Sequence, residues 1–163
     1  MVRCTARLQT IAGKTSAATL GVEPNDDDWY ANLFWVSGRK CLLATHAGTL
    51  FSVFAPDVRV AELRPLGDFL VPRIVEQLAA EGFRADALGP LDPREVVIGK
   101  TASRQVLGCM NDIAFACQHI AALDGGLPRL DLIKLHRHLQ RNIVSARNYI
   151  PPTTLVAERI AHG

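Results

Sequence analysis

The chain has 163 residues, of which 48% are hydrophobic and 21% charged, with a formal net charge of +2. That length suffices for one domain with its own core, without disulfide or metal staples. So small a net charge gives no global pull towards nucleic acid or anionic membrane. No run nears the ~18 consecutive apolar residues of a membrane span. The opening MVRCTARLQT has no apolar stretch of signal-peptide length, so a cytoplasmic location is expected.

Val2–Thr5 is predicted to be a short strand and Ala6–Ala12 a helical turn after it. Residues 13–28, GKTSAATLGVEPNDDD, read as a loop; one this long is either functional or mobile. Its Asn25-Asp26-Asp27-Asp28 lacks the spaced ligands and distal glutamate of a calcium loop and reads as a solvated acidic turn.

Trp29–Phe54 is the stretch that organises the rest. Ala31–Val36, Cys41–His46 and Leu50–Ala55 are rich in β-branched, aromatic and other apolar residues, and Ser37-Gly38 and Ala47-Gly48 punctuate them. Two-residue turns there place Val36 opposite Arg39, Phe34 opposite Cys41 and Asn32 opposite Leu43. Across the second turn the same assumption sets His46 opposite Thr49 and Leu43 opposite Ser52, which puts Asn32, Leu43 and Ser52 in one row. The unbroken apolar runs predict a sheet covered on both faces. Asn32, Thr45, His46, Thr49 and Ser52 then need partners, or they form a small polar pocket.

Arg64–Gly82 has the spacing of an amphipathic helix, with Pro72 placed to kink or split it. Arg84–Pro93 is a connection and Glu95–Lys100 a further strand. Ser103–Leu123 is the clearest helix; Phe115, beside Asp112 and His119, implies a second covered face. Asp131–Asn148 is predicted as another helix with Leu132, Leu135, Leu139 and Ile143 inward. The organisation expected is a single domain over 1–150 with a C-terminal tail, 151–163, in which a short helix docks or frays. The fold class is α+β: a small, largely antiparallel sheet, the meander plus one or two strands, packed with three or more helices.

Cys4, Cys41, Cys109 and Cys117 form no CxxC pair and no cluster with His, so they read as small buried apolar residues. No metal or cofactor is predicted. Gly13-Lys14-Thr15 and Gly99-Lys100-Thr101 resemble the end of a phosphate-binding loop, but the glycine required five residues earlier is Leu8 in one and Arg94 in the other. Lys100, Thr101 and Arg104 still lie at a helix start, where anions are favoured, and Arg39-Lys40 sits at a hairpin tip. Lys134, Arg137, His138 and Arg141 share one helix face. Residues 127–150 hold five Lys/Arg against one acid, a local +4 that leaves −2 for the remainder. This asymmetry points to an acidic partner, nucleic acid or protein, although no aromatic platform for stacking bases accompanies it. His136 and His138 point opposite ways on a helix, a poor metal pair. Ser52 or Cys41 with His46 and Asp112 would supply a nucleophile, base and acid, with no GxSxG elbow to support it.

Trp29-x-Ala31-Asn32-Leu33, Arg39-Lys40-Cys41, Thr49–Phe54 and the helix segment Arg104-x-Val106-Leu107-Gly108-x-Met110-Asn111-Asp112, with Arg3-Cys4-Thr5 near the start, resemble a family of small uncharacterised bacterial proteins, a domain of unknown function. The resemblance runs from Arg3 to about Arg141. It marks Arg3, Thr5, Trp29, Asn32, Arg39, Lys40, Thr49, Ser52, Thr101, Arg104, Asn111 and Asp112 as matching polar or aromatic positions and implies no activity. Cys109 stands where the family has Ser, so no hydroxyl role is carried over there.

The reading is a cytoplasmic binding or regulatory module that holds an acidic partner through Lys134, Arg137 and Arg141, with Arg39, Lys40, Lys100, Thr101 and Arg104 as further contacts. The alternative is a small hydrolase or phosphate-handling enzyme. Its polar pocket would lie between the sheet and the 103–123 helix and draw on Asn32, Ser52, His46, Asn111 and Asp112. A third option is a homo-oligomer joined through surplus apolar surface.

Overall fold

The structure is a computed structural model that describes residues 1–142 and 147–162. The meander is its centre: β2 (Trp29–Val36), β3 (Arg39–His46) and β4 (Ser52–Ala55). Ser37 at φ 50° and Gly38 at φ 78° form a two-residue turn with both φ positive, which matches the strand twist. Val36 therefore faces Arg39, Phe34 faces Cys41 and Asn32 faces Leu43, as the turn signal predicts.

The second turn differs from expectation. Leu43 pairs with Phe54, and Ser52 pairs with Thr45, so the predicted Asn32–Leu43–Ser52 row does not exist. The connection is a wider loop. The His46 carbonyl accepts from Leu50 N–H at 2.8 Å, and His46 N–H donates to Phe51 O at 2.9 Å. The acidic turn is the cause. It packs across this loop and takes up its donors, Ala47 N–H on Asp28 O at 2.8 Å and Gly48 N–H on Asp26 O at 2.9 Å. A Cβ on Gly48 would stand 2.8 Å from that Asp26 oxygen, so the glycine serves close approach rather than a positive φ.

β1 (Val2–Cys4) pairs parallel with β2, and β5 (Ile98–Lys100) pairs parallel with β1, giving the order β4-β3-β2-β1-β5. Two of the four pairings are parallel and two antiparallel, so the α+β fold has a mixed sheet. Parallel neighbours need long crossovers. The first crossover runs through α1 (Ala6–Ala12) and the 13–28 loop, the second through α2 (Leu66–Ala80). The helix α2 continues through Pro72 without a break. It lies so close to the 93–96 segment that a Cβ on Gly67 would fall 2.0 Å from Pro93 O.

The sheet is covered on both faces, as its apolar runs require. On one face Trp29, Ala31, Leu33, Leu42, Ala44 and Val53 pack with α1, α2 and Val156 of α5 (Pro152–His162). On the other, Tyr30, Phe34, Cys41, Leu43 and Phe54 pack with α3 (Arg104–Leu123) and α4 (Leu132–Arg141). The expected C-terminal tail thus carries a docked helix, with Val156 fully buried. The helix α4 begins after Asp131, the predicted start, whose side chain caps it by accepting Lys134 N–H, but it ends at Arg141, where Asn142 turns extended; Ile143 lies outside the described residues. By length and composition α3 could cross a membrane. Here its Val106, Met110, Ile113, Cys117 and Ala121 are buried in the second core. All four cysteines are free and buried, and burial pushes the Cys4 and Cys117 thiols up to about 12.

The start of α3 is fixed by two polar contacts. Ser103 Oγ accepts Val106 N–H at 3.2 Å, and Ser103 N–H donates to the hydroxyl of the fully buried Tyr30 at 3.1 Å. Ser103→Ala is expected to lower unfolding free energy by about 1 kcal/mol, the usual cost of a lost N-cap. Urea denaturation at neutral pH reads this directly, and an unchanged midpoint would show that the cap contributes nothing.

Candidate functional site

The site grows from the exposed edge of β4. An edge strand carries unpaired N–H and C=O groups that invite another chain. Residues 52 and 54 point theirs outward, and α4 answers them with side chains one helical turn apart. His136 Nε2 accepts Phe54 N–H at 3.0 Å. Gln140 Oε1 accepts Ser52 N–H at 3.2 Å, and its amide donates to Ser52 O at 2.5 Å. Residues at i and i+4 lie on one helix face, so His136 and Gln140 together replace a missing strand. His136 must be neutral at Nε2 to accept, and burial holds its pKa below the ordinary histidine value. The opposite edge is closed by the 13–28 loop, where Ser16 N–H donates to Ile98 O at 2.9 Å.

Beyond this seal, α2, β4 and α4 enclose a cleft of about 550 Å³. Buried Val53 and Ala55 lie deepest in it, the exposed Ala80 and Leu132 add apolar lining, and Arg73, Glu76, Glu81, Arg137 and Arg141 supply its charged groups. Most of the rim cations are engaged. Arg141 pairs with Glu81 at 2.9 Å. The Arg73 guanidinium stacks 3.7 Å over the Phe69 ring and donates to Phe69 O at 2.7 Å. Arg137 is exposed, and among the described residues its guanidinium has no ion-pair partner.

The basic face predicted for α4 is divided by this geometry. Arg137 and Arg141 line the cleft on the α2 side. Lys134 and His138 line a hollow on the α3 side, where Lys134 pairs with Asp124 at 3.3 Å. His136 and His138 do point apart, one to β4 and the other to the α3 hollow.

The remaining predicted residues are dispersed. Arg39 pairs with Asp57 at 2.6 Å on the hairpin surface, beside the half-buried Lys40. Lys100 and Arg104 are exposed and Thr101 half-buried at the start of α3, where the Lys100 carbonyl accepts from Arg3 at 3.2 Å. Asn32 Oδ1 accepts from Thr5 Oγ1 at 2.9 Å. Ser52 Oγ is fully buried against Leu50 O at 2.8 Å and Thr45 Oγ1 at 2.9 Å. Asn111 and Asp112 are exposed on α3. None of them lines the α2–β4–α4 cleft.

The nucleophile, base and acid considered from sequence do not assemble. His46 is in register with Trp29, on the α2 face of the sheet, whereas Ser52 is in register with Thr45, on the α3 face. Side chains alternate faces along a strand, so the sheet itself separates them. Cys41 shares the α3 face with Phe34 but not the face of His46. His46 Nδ1 meets Thr49 Oγ1 at 3.1 Å, its ring stands 5.3 Å from that of Trp29, and burial pushes its pKa down to about 4. It is a buried neutral imidazole.

Sequence reasoning named Arg137 and Arg141 but missed Arg73, Glu81, His136 and Gln140 as parts of the site. The available signal was the His136/Gln140 pair at i, i+4, polar residues on the flank of an otherwise leucine-lined face. No curated protein and no solved structure matches the chain. The family model described as a domain of unknown function (DUF6933) matches residues 1–155, nearly the whole chain, and the protein belongs to that family.

Proposed function

We propose that the protein is a binding module whose α2–β4–α4 cleft receives an acidic segment of a protein partner, with Arg137 as the principal carboxylate contact. The observation that carries this reading is the Arg137 guanidinium, which has no ion-pair partner among the described residues, on the rim of a cleft with apolar lining. Its neighbours Arg73 and Arg141 are already held by Phe69 and Glu81. A planar guanidinium with free donors suits a bidentate carboxylate. The apolar lining beside it suits an aliphatic residue next to that carboxylate. A peptide is favoured over nucleic acid because the cations of α4 face two sides of the helix. One of them, Lys134, is neutralised by Asp124, so α4 offers no continuous cationic strip for a phosphate backbone to follow, whereas one carboxylate needs only Arg137.

Panning a random peptide display library against the protein tests this. Enriched sequences are expected to place Asp or Glu next to an aliphatic residue. Synthetic versions should lose roughly tenfold or more in affinity against Arg137→Ala, the scale of a charged hydrogen bond. Enrichment of sequences without acids, or binding indifferent to Arg137→Ala, would remove the proposal.

A further inference from the structure

The outer face of α3 carries apolar side chains that nothing among the described residues covers. Phe115 is 71% exposed and Leu123 73%. Surface apolar residues scattered singly are ordinary, but Leu123 lines an apolar hollow of about 350 Å³ with Ala116, His119 and Ile120, rimmed by Asp124 and by Lys134 and His138 of α4, and Phe115 precedes His119 by one helical turn. One helix face thus presents both a projecting ring and a cavity of a size that could admit one.

We propose that a second copy of this chain covers that face, with the two α3 helices packed antiparallel about a two-fold axis near His119. Phe115 of each copy then enters the hollow beside Leu123 of the other. Phe115 and Leu123 lie eight positions apart, about 12 Å along the helix axis, with His119 midway. A two-fold axis there exchanges projection and hollow, as an isologous interface requires.

Charge favours the same pairing. Asp112 is exposed on the N-terminal half of α3 and has no ion pair among the described residues, while Arg129 is exposed just past its C-terminal end. Antiparallel packing brings each acid towards the other copy's base. A lipid surface fits less well, because membrane-lying helices flank their apolar face with free Lys and Arg, and here Lys134 at the rim is held by Asp124 and the exposed Asp112 stands beside the face. A helix of 20 residues is ~30 Å long and ~10 Å wide, so α3 contributes about 300 Å² per copy. With the flank of α4 this remains below the ~800 Å² per partner of a standard stable interface, so the dimer is a weak, concentration-dependent one.

Sedimentation velocity over a dilution series tests the proposal on the whole chain, with Phe115→Glu, Leu123→Glu and Arg137→Ala run beside the wild type. Both glutamates replace exposed side chains, and circular dichroism verifies that each variant is folded. The expected result is a monomer–dimer equilibrium in the micromolar range for wild type and Arg137→Ala, weakened at least tenfold in Phe115→Glu and Leu123→Glu. A wild type that stays monomeric throughout the series overturns the proposal, as does a dimer insensitive to both glutamates. Flotation with phosphatidylcholine and mixed phosphatidylserine vesicles completes the test. Vesicle binding by the wild type that Phe115→Glu abolishes would assign the face to lipid and overturn self-association. Because Arg137 takes no part, failure here leaves the cleft reading untouched, and failure of the peptide experiment leaves the dimer untouched.

Discussion

Asp28→Ala is expected to lower unfolding free energy by about 3–5 kcal/mol, the cost of stranding one member of a buried ion pair. Asp28 is 2% exposed and Arg3 3%. Arg3 Nε donates to Asp28 Oδ2 at 2.5 Å, and its remaining donors reach the carbonyls of Lys100 at 3.2 Å and of Val22 and Glu23, both at 2.9 Å. One guanidinium in the interior strand β1 thus fastens β5 on one side and the 13–28 loop on the other. Asp28 also accepts Asn25 N–H at 3.1 Å, which closes the acidic turn. Removing Asp28 leaves Arg3 charged, buried and facing only carbonyl dipoles. Removing Arg3 leaves a buried carboxylate and frees the loop. The single variants Arg3→Met and Asp28→Leu should therefore be similarly destabilised, and Arg3→Met/Asp28→Leu should be less destabilised than the sum of the two. Urea titrations of the four proteins give the coupling energy. A single-variant loss under about 1 kcal/mol, the scale of an exposed pair, would show that the pair is solvated after all.

This network shows where the sequence was legible and where it was not. The meander could be read because its signals are local. Ser37-Gly38 sets a tight turn whatever surrounds it, and runs such as Leu33–Val36 imply two covered faces. The helices α3 and α2 could be read from their apolar period, and Ser103 and Asp131 announced their starts. What could not be read were facts made by distant chain. The acidic turn looked solvated, because nothing local reveals that Asp28 meets Arg3 across 25 positions. The second turn looked like a two-residue hairpin, because only the folded chain brings Asp26 and Asp28 carbonyls over Ala47 and Gly48. Parallel pairing of β1 and β5 is likewise a property of the crossovers.

The same division holds for the site. The excess of cations on α4 was visible as composition. Which of them are free depends on Asp124 and Glu81, acids contributed by other helices. The nucleophile and base considered from sequence are kept apart for a related reason: strand alternation sends His46 and Ser52 to opposite faces of the sheet. With α3 as the seam of a pair, α4 keeps Arg137 on its other flank. Each dimer would then offer two clefts, so that a partner with repeated acidic segments gains avidity from weak individual contacts.

Acidification from pH 6.5 to 4 is expected to cost the protein about 3 kcal/mol through His46 alone. Burial lowers the pKa of this imidazole from the ordinary 6.5 to about 4, and each unit of difference is worth ~1.4 kcal/mol. Above pH 6.5 the ring is neutral in both folded and unfolded chains and contributes no pH dependence. Below 6.5 the unfolded chain takes up a proton that the folded protein refuses, so stability falls with pH until the folded pKa is reached, and then levels. The refusal has a structural basis. His46 is wholly buried between Trp29 and Thr49, and the nearby Asp26 and Asp28 only partly offset the cost of burying its charge. His136 acts in the same direction, since protonation would also break its acceptance of Phe54 N–H. Carboxylates add their own slope, but equally in wild type and in a His46→Asn variant, so the difference between the two curves isolates the imidazole. Unfolding free energies by urea titration at half-unit steps should converge by about 3 kcal/mol between pH 6.5 and 4, whatever the offset at neutral pH. Parallel curves would mean that His46 accepts a proton in the folded state, and that the space around Trp29 and Gly48 admits enough water to solvate it.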